Sequence, residues 1–318
     1  MNFTGLVKED ILSSVRENAC CRVAFLSAYL HAVLSVVKNS EGFGFEIETE
    51  SEDLAAFVQE ELHSMFGKEA DEIALKADKL RASARLILRF TGEGCADILK
   101  ELGFLSAEEP ARLLYEIPRE IVENDCCKRA FVAGAFLGAG SATLPEKGAE
   151  HSSGTGYHLQ FLFSGYEYAS TFCELLAVCD FFPKLIERKN GFVVYFKNSQ
   201  IISDFLAFIG AGRSVCALQE RLVEKSFQNQ VNRQVNCEMG NMTKQVNAYV
   251  AQKLAIGVIE ETVGVDSLPE GLKEVCRARL AYPDASLELL AETLGITKSC
   301  LNHRLRKIAA LSKTLAAK

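Results

Sequence analysis

The stretch ENACCRVAF at residues 17–25 returns as ENDCCKRAF at residues 123–131. Glu, Asn, the Cys-Cys doublet, Ala and Phe coincide, and Arg stands opposite Lys. Such agreement predicts an internal duplication, because a fixed offset between similar segments is the signature of repeated architecture. The two copies extend over about residues 17–104 and 123–210.

Small residues recur at every fourth position of both stretches, at Ala24, Ala28, Ala32 and at Ala130, Gly134, Gly138. Residues four apart lie on one helix face. A face of Ala and Gly lets two helix backbones approach closely. Glycine weakens an isolated helix by about 1 kcal/mol per residue, so this pattern predicts that each helix packs tightly on its twin.

The segments after each helix also correspond. Alternating apolar residues at 43–49 and 157–163 predict half-buried strands. Further elements are expected as helices near 52–66, 166–180, 94–103 and 199–209, and as strands near 71–77, 84–90, 184–189 and 191–197. The Gly-, Ser- and Thr-rich stretch 141–156 predicts an exposed loop. The predicted order is helix, strand, helix, strand, strand, helix, twice.

This order resembles the LAGLIDADG homing-endonuclease fold, and the two central helices resemble its signature helices. Residues 132–140 (VAGAFLGAG) lie against the nine-letter motif, and residues 26–34 occupy the same place in the first copy. The resemblance implies that the eighth motif position should hold a metal-binding acid, but Val33 and Ala139 stand there. The sixth positions are His31 and Leu137. Hard divalent ions need carboxylate oxygens, so we expect no catalytic residue and no nuclease activity at this junction.

A surviving nuclease is the competing interpretation for this region. It would need acids near the helix junction, and the sequence offers Glu41 and Glu146 only in the loops beyond. Without cleavage, the predicted sheets would still be available to hold DNA or a protein partner.

The chain has 11 cysteines, scattered through apolar segments. We expect reduced thiols in a cytoplasmic protein, most of them in the core. The doublets Cys20-Cys21 and Cys126-Cys127 suggest a metal site. Adjacent cysteines point to different faces of a helix, however, and C-x-x-C spacing is absent, which favours a structural role. No metal and no cofactor are therefore predicted.

Charge is unevenly distributed. The net charge is −7, yet the stretch from Ser286 to Lys318 carries six Lys or Arg and two acids. A basic segment on an acidic body is typical of a tethered binding domain, and a basic last helix favoured by its own dipole is the alternative. There is no apolar run of about eighteen residues, so no membrane span is expected.

From Ser286 to about Leu311 the spacing is that of a helix-turn-helix. Ser286 is expected to cap a first helix, Gly295 to end it, and Thr297 to cap a second helix from Lys298 to about Ala310. Leu301, Leu305 and Ile308 form the predicted buried face of that second helix. A further helix from Leu272 to Tyr282 would complete a three-helix unit.

The polar face of the second helix is the candidate DNA-reading surface, because its side chains can hydrogen-bond base edges or phosphates. The candidate DNA-binding residues are Thr297, Lys298, Ser299, Asn302, His303, Arg304, Arg306 and Lys307. Arg304, Lys307 and Lys313 are expected nearer the DNA backbone. The alternative is a helical hairpin with a solvated basic face.

Residues 227–241 are rich in amides. Asn232, Arg233 and Asn236 are candidates for additional DNA contacts or for contacts between domains. A polar linker or a capping network between domains is an equal alternative for this stretch.

These features together resemble the WhiA family. The resemblance is carried by both cysteine doublets, by NRQVNCE at 232–238, by KSCLNHRLRKI at 298–308 and by ETVG at 261–264 followed by Leu268-Pro269. It implies transcription-factor activity, roles in cell division, chromosome segregation and, where it occurs, sporulation, and loss of nuclease activity.

The sequence thus predicts an α+β body followed by an all-α helix-turn-helix domain. The predicted domains are a duplicated body at 1–212, a helical amide-rich linker at 213–262 and a DNA-binding domain at 263–318. We expect a regulator rather than an enzyme, associated with the nucleoid in the cytoplasm. Its expected partner is double-stranded DNA, with other transcription or cell-division proteins as further partners. An architectural or partner-binding factor is the alternative function, and no oligomeric state is assigned.

Overall fold

The structure is a computed structural model that describes residues 2–14, 18–39, 42–49, 51–78, 83–145 and 156–316. The chain divides into two compact units, Met1–Val223 and Glu224–Lys318. The first combines helices with two sheets, and the described part of the second is helical. This combination confirms the predicted fold class. None of the described helices is both long and apolar enough to cross a membrane.

The first unit begins with helix α1 (Phe3–Ser13), and two copies of one arrangement follow. The first copy consists of α2 (Ala19–Leu30), β1 (Leu34–Asn39), β2 (Gly42–Thr49), α3 (Glu52–Phe66), β3 (Glu72–Asp78), β4 (Ser83–Phe90) and α4 (Cys95–Glu101). The second consists of α5 (Asp125–Ala139), β5 (Gly140–Thr143), β6 (His158–Phe163), α6 (Tyr166–Val178), β7 (Lys184–Arg188), β8 (Gly191–Phe196) and α7 (Ser199–Phe208).

The two sheets have equivalent topology. Their strand orders are β1-β2-β4-β3 and β5-β6-β8-β7, and all pairings are antiparallel. The predicted element order was wrong in one respect, because each copy has an additional strand directly after its central helix. Residues 141–143, predicted as loop, belong to β5, and Ala142 is buried. Residues 146–155 of that predicted loop lie outside the described part.

The central helices α2 and α5 pack directly on each other, as the Ala and Gly face predicts. A Cβ atom at Gly134 would lie 2.1 Å from the carbonyl oxygen of Phe25, and one at Gly138 would lie 2.7 Å from Cβ of Ala32. Only glycine permits this backbone approach. Large residues of the pair itself, including Phe25, Phe131 and Phe136, are buried in the core that both copies share.

The long helix α8 (Gly212–Thr262) begins in the first unit and ends in the second. Its first turn is fixed by a distant residue, because the buried carboxylate of Asp10 on α1 accepts hydrogen bonds from the backbone N–H and the hydroxyl of Ser214, both at 2.8 Å. Arg213 Nε also donates to Asp10, at 2.5 Å. A carboxylate at a helix N-terminus satisfies free N–H groups and complements the helix dipole.

The second unit has its own small core. Helices α9 (Glu270–Ala281), α10 (Leu287–Thr293) and α11 (Lys298–Ala316) pack with the last turns of α8. Ile256 and Ile259 of α8 are buried there together with Val275 and Cys276 of α9.

The distribution of the cysteines differs from the expectation that most lie in the core. Cys21, Cys95, Cys127 and Cys276 are buried, whereas four cysteines are exposed and three are intermediate. All are free thiols.

Candidate nucleic-acid interface

The turn between α10 and α11 follows the predicted caps. The Ser286 hydroxyl accepts a hydrogen bond from Leu289 N at 3.2 Å and begins α10. Gly295 has φ +62°, a left-handed conformation that favours glycine and ends the helix. The Thr297 hydroxyl accepts from Cys300 N at 3.2 Å and begins α11. These three residues fix the angle at which α11 leaves the turn.

One face of α11 holds it in the core of the second unit. Leu301, Leu305 and Ile308 are buried, as predicted, and Ser312 continues the same face. The helix extends to Ala316, beyond the predicted end near Ala310. Because this face is buried, the opposite face is directed to solvent.

The solvent face of α11 carries most of the predicted DNA-reading residues. Ser299, His303, Arg306 and Lys307 are exposed, and Asn302 is half-buried. Within the described residues, no hydrogen bond or ion pair occupies these five side chains. At 100° per residue they lie on one arc of the helix, so their donors and acceptors can meet one ligand surface.

Two other predicted residues have partners inside the second unit. Arg304 Nη1 donates to the carbonyl oxygen of Gly271 at 3.0 Å and lies 3.8 Å from the Glu274 carboxylate, so it joins α11 to α9. Lys298 Nζ pairs with Glu288 of α10 at 2.5 Å, on the surface. The structure therefore separates Arg304 from the exposed arc and makes it a packing contact.

The amide-rich segment is helical and forms the middle of α8. Asn232, Arg233 and Asn236 are all exposed there. Asn229, Asn232 and Asn236 are three and four residues apart and share one face of the helix. The structure thus presents a row of amides, with Arg233 beside it.

The junction that would hold the cutting metal of a nuclease has different chemistry here. Val33 lies beyond the end of α2, and Ala139 is the last residue of α5. The His31 ring is stacked between Phe104 and Tyr168, with ring centroids 4.4 and 4.1 Å away. Burial lowers the pKa of His31 to about 4, so this imidazole is neutral near pH 7 and forms part of an aromatic stack.

The described part of the chain also contains no cluster of three or more acids that could hold a metal ion. The group of potential metal ligands found in that part is Cys20, Cys21, Cys126 and Cys127, at the other end of the central helices. Glu41 and Glu146, the acids of the nuclease alternative, lie outside the described residues.

The outward faces of the two sheets differ in charge. On the first sheet, Arg89 pairs with Glu46 and with Glu72, both at 2.6 Å, and Arg85 pairs with Glu48 at 2.9 Å. These arginines are therefore neutralised by acids of the neighbouring strands.

On β5 to β8 of the second sheet, the side chains that alternate with the buried core residues point away from the core, and none of them is acidic. They include Lys184, Arg188 and Tyr195, and Lys197 lies over the Tyr195 ring at 5.3 Å. Basic residues interleaved with aromatic and amide side chains are typical of surfaces that contact nucleic acid. This face was not recognised from the sequence, although Lys184 and Arg188 stand at the two ends of β7, on the same side of the strand.

A second residue that was not recognised from the sequence supports the second unit from inside. Arg279 on α9 is almost fully buried, donates to the carbonyl oxygen of Ala285 at 2.7 Å and lies over the Tyr249 ring at 5.0 Å. It ties the loop before α10 to α8 and α9. No local pattern marks it, because an arginine in an amphipathic helix is ordinarily expected at the surface.

Comparison with known proteins gives three family matches. The WhiA N-terminal LAGLIDADG-like domain matches residues 19–105, the WhiA LAGLIDADG-like domain matches residues 128–228, and the WhiA C-terminal HTH domain matches residues 231–312. The three matches follow the two copies and the helix-turn-helix in order.

Relatives match along nearly the whole chain. A protein named probable cell division protein WhiA from Clostridium botulinum is 36% identical over 319 residues, covering 99% of both chains. One of the same name from Caldicellulosiruptor saccharolyticus is 35% identical over 320 residues, covering 99% of this chain and 96% of the relative. The crystal structure of full-length DUF199/WhiA from Thermatoga maritima has the same fold, with a TM-score of 0.58, 21% identity and 99% coverage of both chains. The chain belongs to the WhiA family.

Proposed function

We propose that this chain is a regulator of transcription that binds double-stranded DNA in a sequence-specific way. The observation that carries the proposal is the exposed arc of α11, on which Ser299, Asn302, His303, Arg306 and Lys307 follow a capped helix-turn-helix turn. An exposed helix of this size fits the major groove of DNA, and Asn and Arg side chains pair with the edges of adenine and guanine.

Within this proposal the residues have different tasks. Asn302, His303 and Arg306 read bases, and Lys307 with the α11 N-terminus at Thr297 contacts phosphates. Lys298 exchanges its surface ion pair with Glu288 for a phosphate. Arg304 contributes by holding α11 on α9. Asn232, Arg233 and Asn236 on α8 and the basic face of the second sheet are additional DNA-contact surfaces.

The proposed biological role follows the names of the relatives. They are called cell division proteins, and we infer that the genes controlled by this chain act in cell division and chromosome segregation and, in sporulating cells, in sporulation. We also propose that the chain acts at the nucleoid and is not an enzyme. The aromatic stack around His31 supports the loss of nuclease chemistry, since neither central helix ends in an acid there. Glu167 is the single carboxylate among the described residues that line the pocket beside His31, and a hard cation needs several oxygen ligands.

The proposal predicts the effect of a triple substitution on α11. Duplexes that the full chain prefers are first selected from a random DNA pool, and binding is then measured by fluorescence anisotropy over a series of salt concentrations. In the variant Asn302→Ala/His303→Ala/Arg306→Ala we expect affinity for the selected duplex to fall about 100-fold or more, because each lost base contact costs about 1–3 kcal/mol. Affinity should also fall steeply with salt for the unaltered chain.

The matched control is Arg277→Ala, which removes one positive charge from an exposed position of α9 in the same unit. It should retain the preference for the selected duplex. Equal binding by the triple variant and the unaltered chain would eliminate α11 as the reading helix and would favour an architectural or partner-binding role for the scaffold.

A further inference from the structure

Four thiols from the two halves of the repeat meet at one point of the first unit. The sulfur atoms of Cys20, Cys21, Cys126 and Cys127 all lie within 4.8 Å of one another. Cys126 and Cys127 are adjacent in the chain, and their sulfurs are 4.0 Å apart. One cysteine of each doublet is buried and the other is exposed.

The internal symmetry of the fold produces this cluster. Asn18 precedes α2 and Asn124 precedes α5, so each doublet occupies the second and third residues of its helix. Because α2 and α5 pack against each other, their first turns bring the two doublets together. Adjacent cysteines on one helix point to different faces, but here the second helix supplies another pair, so all four sulfurs meet.

We propose that these four cysteines bind one Zn²⁺ ion, as a tetrathiolate that fastens the two halves of the repeat together. Structural zinc sites use four tetrahedral ligands with Zn–S distances of about 2.3 Å, which places neighbouring sulfurs about 3.8 Å apart. The sulfurs here need to move closer by about 1 Å or less, a shift within the reach of small side-chain rotations. The inference revises the expectation that the chain binds no metal.

The surroundings suit a site of this charge. The four thiolates carry four negative charges and Zn²⁺ carries two positive charges, so the complex is a dianion. The N-termini of α2 and α5 carry partial positive charge toward it. Cys21 and Cys126 line a cavity of about 640 Å³. Arg129 also lines this cavity, and Asp125 is the acidic residue among its lining residues. Asp125 pairs with Lys128 at 2.7 Å, which offsets its charge.

The spacing selects a single ion over an iron–sulfur cluster. Such clusters spread their four cysteines over at least two iron atoms, so the four sulfurs cannot all be as close as those of ligands that share one ion. The position also separates this site from nuclease chemistry, because the doublets lie at the N-terminal ends of α2 and α5, whereas Val33 and Ala139 lie at the opposite ends.

The experiment measures the metal content of the full chain, purified under reducing conditions without chelator. We expect one zinc ion per chain by mass spectrometry of the metal. Exchange with Co²⁺ should give the visible absorption bands of a tetrahedral cobalt–thiolate complex. A chelator should lower the melting temperature of the unaltered chain.

The test variant is Cys20→Ser/Cys126→Ser, which changes the two exposed cysteines of the cluster and leaves the buried pair in place. It should lose the zinc, the cobalt bands and the response to chelator while keeping the circular dichroism spectrum of the unaltered chain. The control Cys216→Ser/Cys237→Ser changes two exposed cysteines outside the cluster and should keep all three properties.

Three results would overturn the proposal. These are a chain free of zinc even after incubation with Zn²⁺, zinc retained by the test variant, or disulfides between the doublets in the protein purified under reducing conditions. Should the test variant fail to fold, the cobalt spectrum of the unaltered chain still decides, because non-thiolate ligands give no sulfur-to-cobalt charge-transfer band.

Discussion

Asp10 shows how one buried side chain positions a whole helix. Its carboxylate accepts hydrogen bonds from Arg213 and from two groups of Ser214, and so connects α1 to the start of α8. Burial alone would raise the pKa of Asp10, but the hydrogen bonds from Arg213 and Ser214 outweigh it and hold the pKa below its usual value. The ionised form is therefore the one that stabilises the fold.

This arrangement predicts a pH-dependent contribution to stability. An aspartate in the unfolded chain has a pKa of about 3.9, and the native pKa is lower. The stabilisation is thus fully present above the unfolded pKa and is lost as the pH falls through the native pKa. Asp10→Asn should lower the free energy of unfolding at pH 7 by about 2–3 kcal/mol, through loss of charge-assisted hydrogen bonds, and should weaken the acid dependence.

Chemical denaturation between neutral and acidic pH measures this effect. The control is Asp97→Asn, at an aspartate whose side chain is 84% exposed, which should leave the neutral-pH stability nearly unchanged. Parallel pH profiles for Asp10→Asn and the unaltered chain would refute the role given to Asp10.

Residues that act through distant partners were the hardest to predict. Lys298 and Arg304 have the right chemistry and helix position for DNA contacts, but their ion-pair partners lie on α10 and α9. Local spacing describes α11 alone and contains no information about which neighbouring helix covers its flank. Thr297, Ser286 and Gly295 were predictable because caps and left-handed turns depend on adjacent residues.

At the scale of elements, the packing of α2 on α5 depends on the absence of a side chain at Gly134. A methyl group at Gly134 would meet the Phe25 carbonyl carbon and oxygen, which belong to backbone and cannot rotate away. Forced separation of the helices would open the core that both copies share.

Gly134→Ala should therefore destabilise the first unit by about 3 kcal/mol, the upper range for overpacking, measured by thermal unfolding. Gly240→Ala on α8 is the matched control, because a Cβ there meets nothing within 4 Å. It should be neutral or stabilising by up to about 1 kcal/mol, since alanine is the better helix former. Equal melting temperatures for the two variants would contradict the close helix packing.

Strands β1 and β5 escaped prediction for reasons of length and composition. The sequence of β5 is GSAT, four small residues that are more typical of a loop. β1 follows α2 after a short turn and has no strong breaker before it. Both become strands because β2 and β6 present an edge to pair with, and such pairing is a tertiary effect on short segments.

For the molecule as a whole, the internal repeat was the most informative feature of the sequence. It correctly indicated two equivalent α/β halves and tightly packed central helices, and the helix-turn-helix spacing indicated the helical unit after them. The cysteine cluster and the basic face of the second sheet arise only when separate segments are assembled. Their residues are visible in the sequence, but their distances are set by the fold.

The most direct test of the DNA-reading claim is a genome-wide map of chain occupancy in living cells, made for the unaltered chain and for Asn302→Ala/His303→Ala/Arg306→Ala at equal protein levels. The account predicts discrete sites that share a sequence element in the first map and their disappearance in the second. The same discrete sites in both maps, or no discrete sites for the unaltered chain, would contradict it.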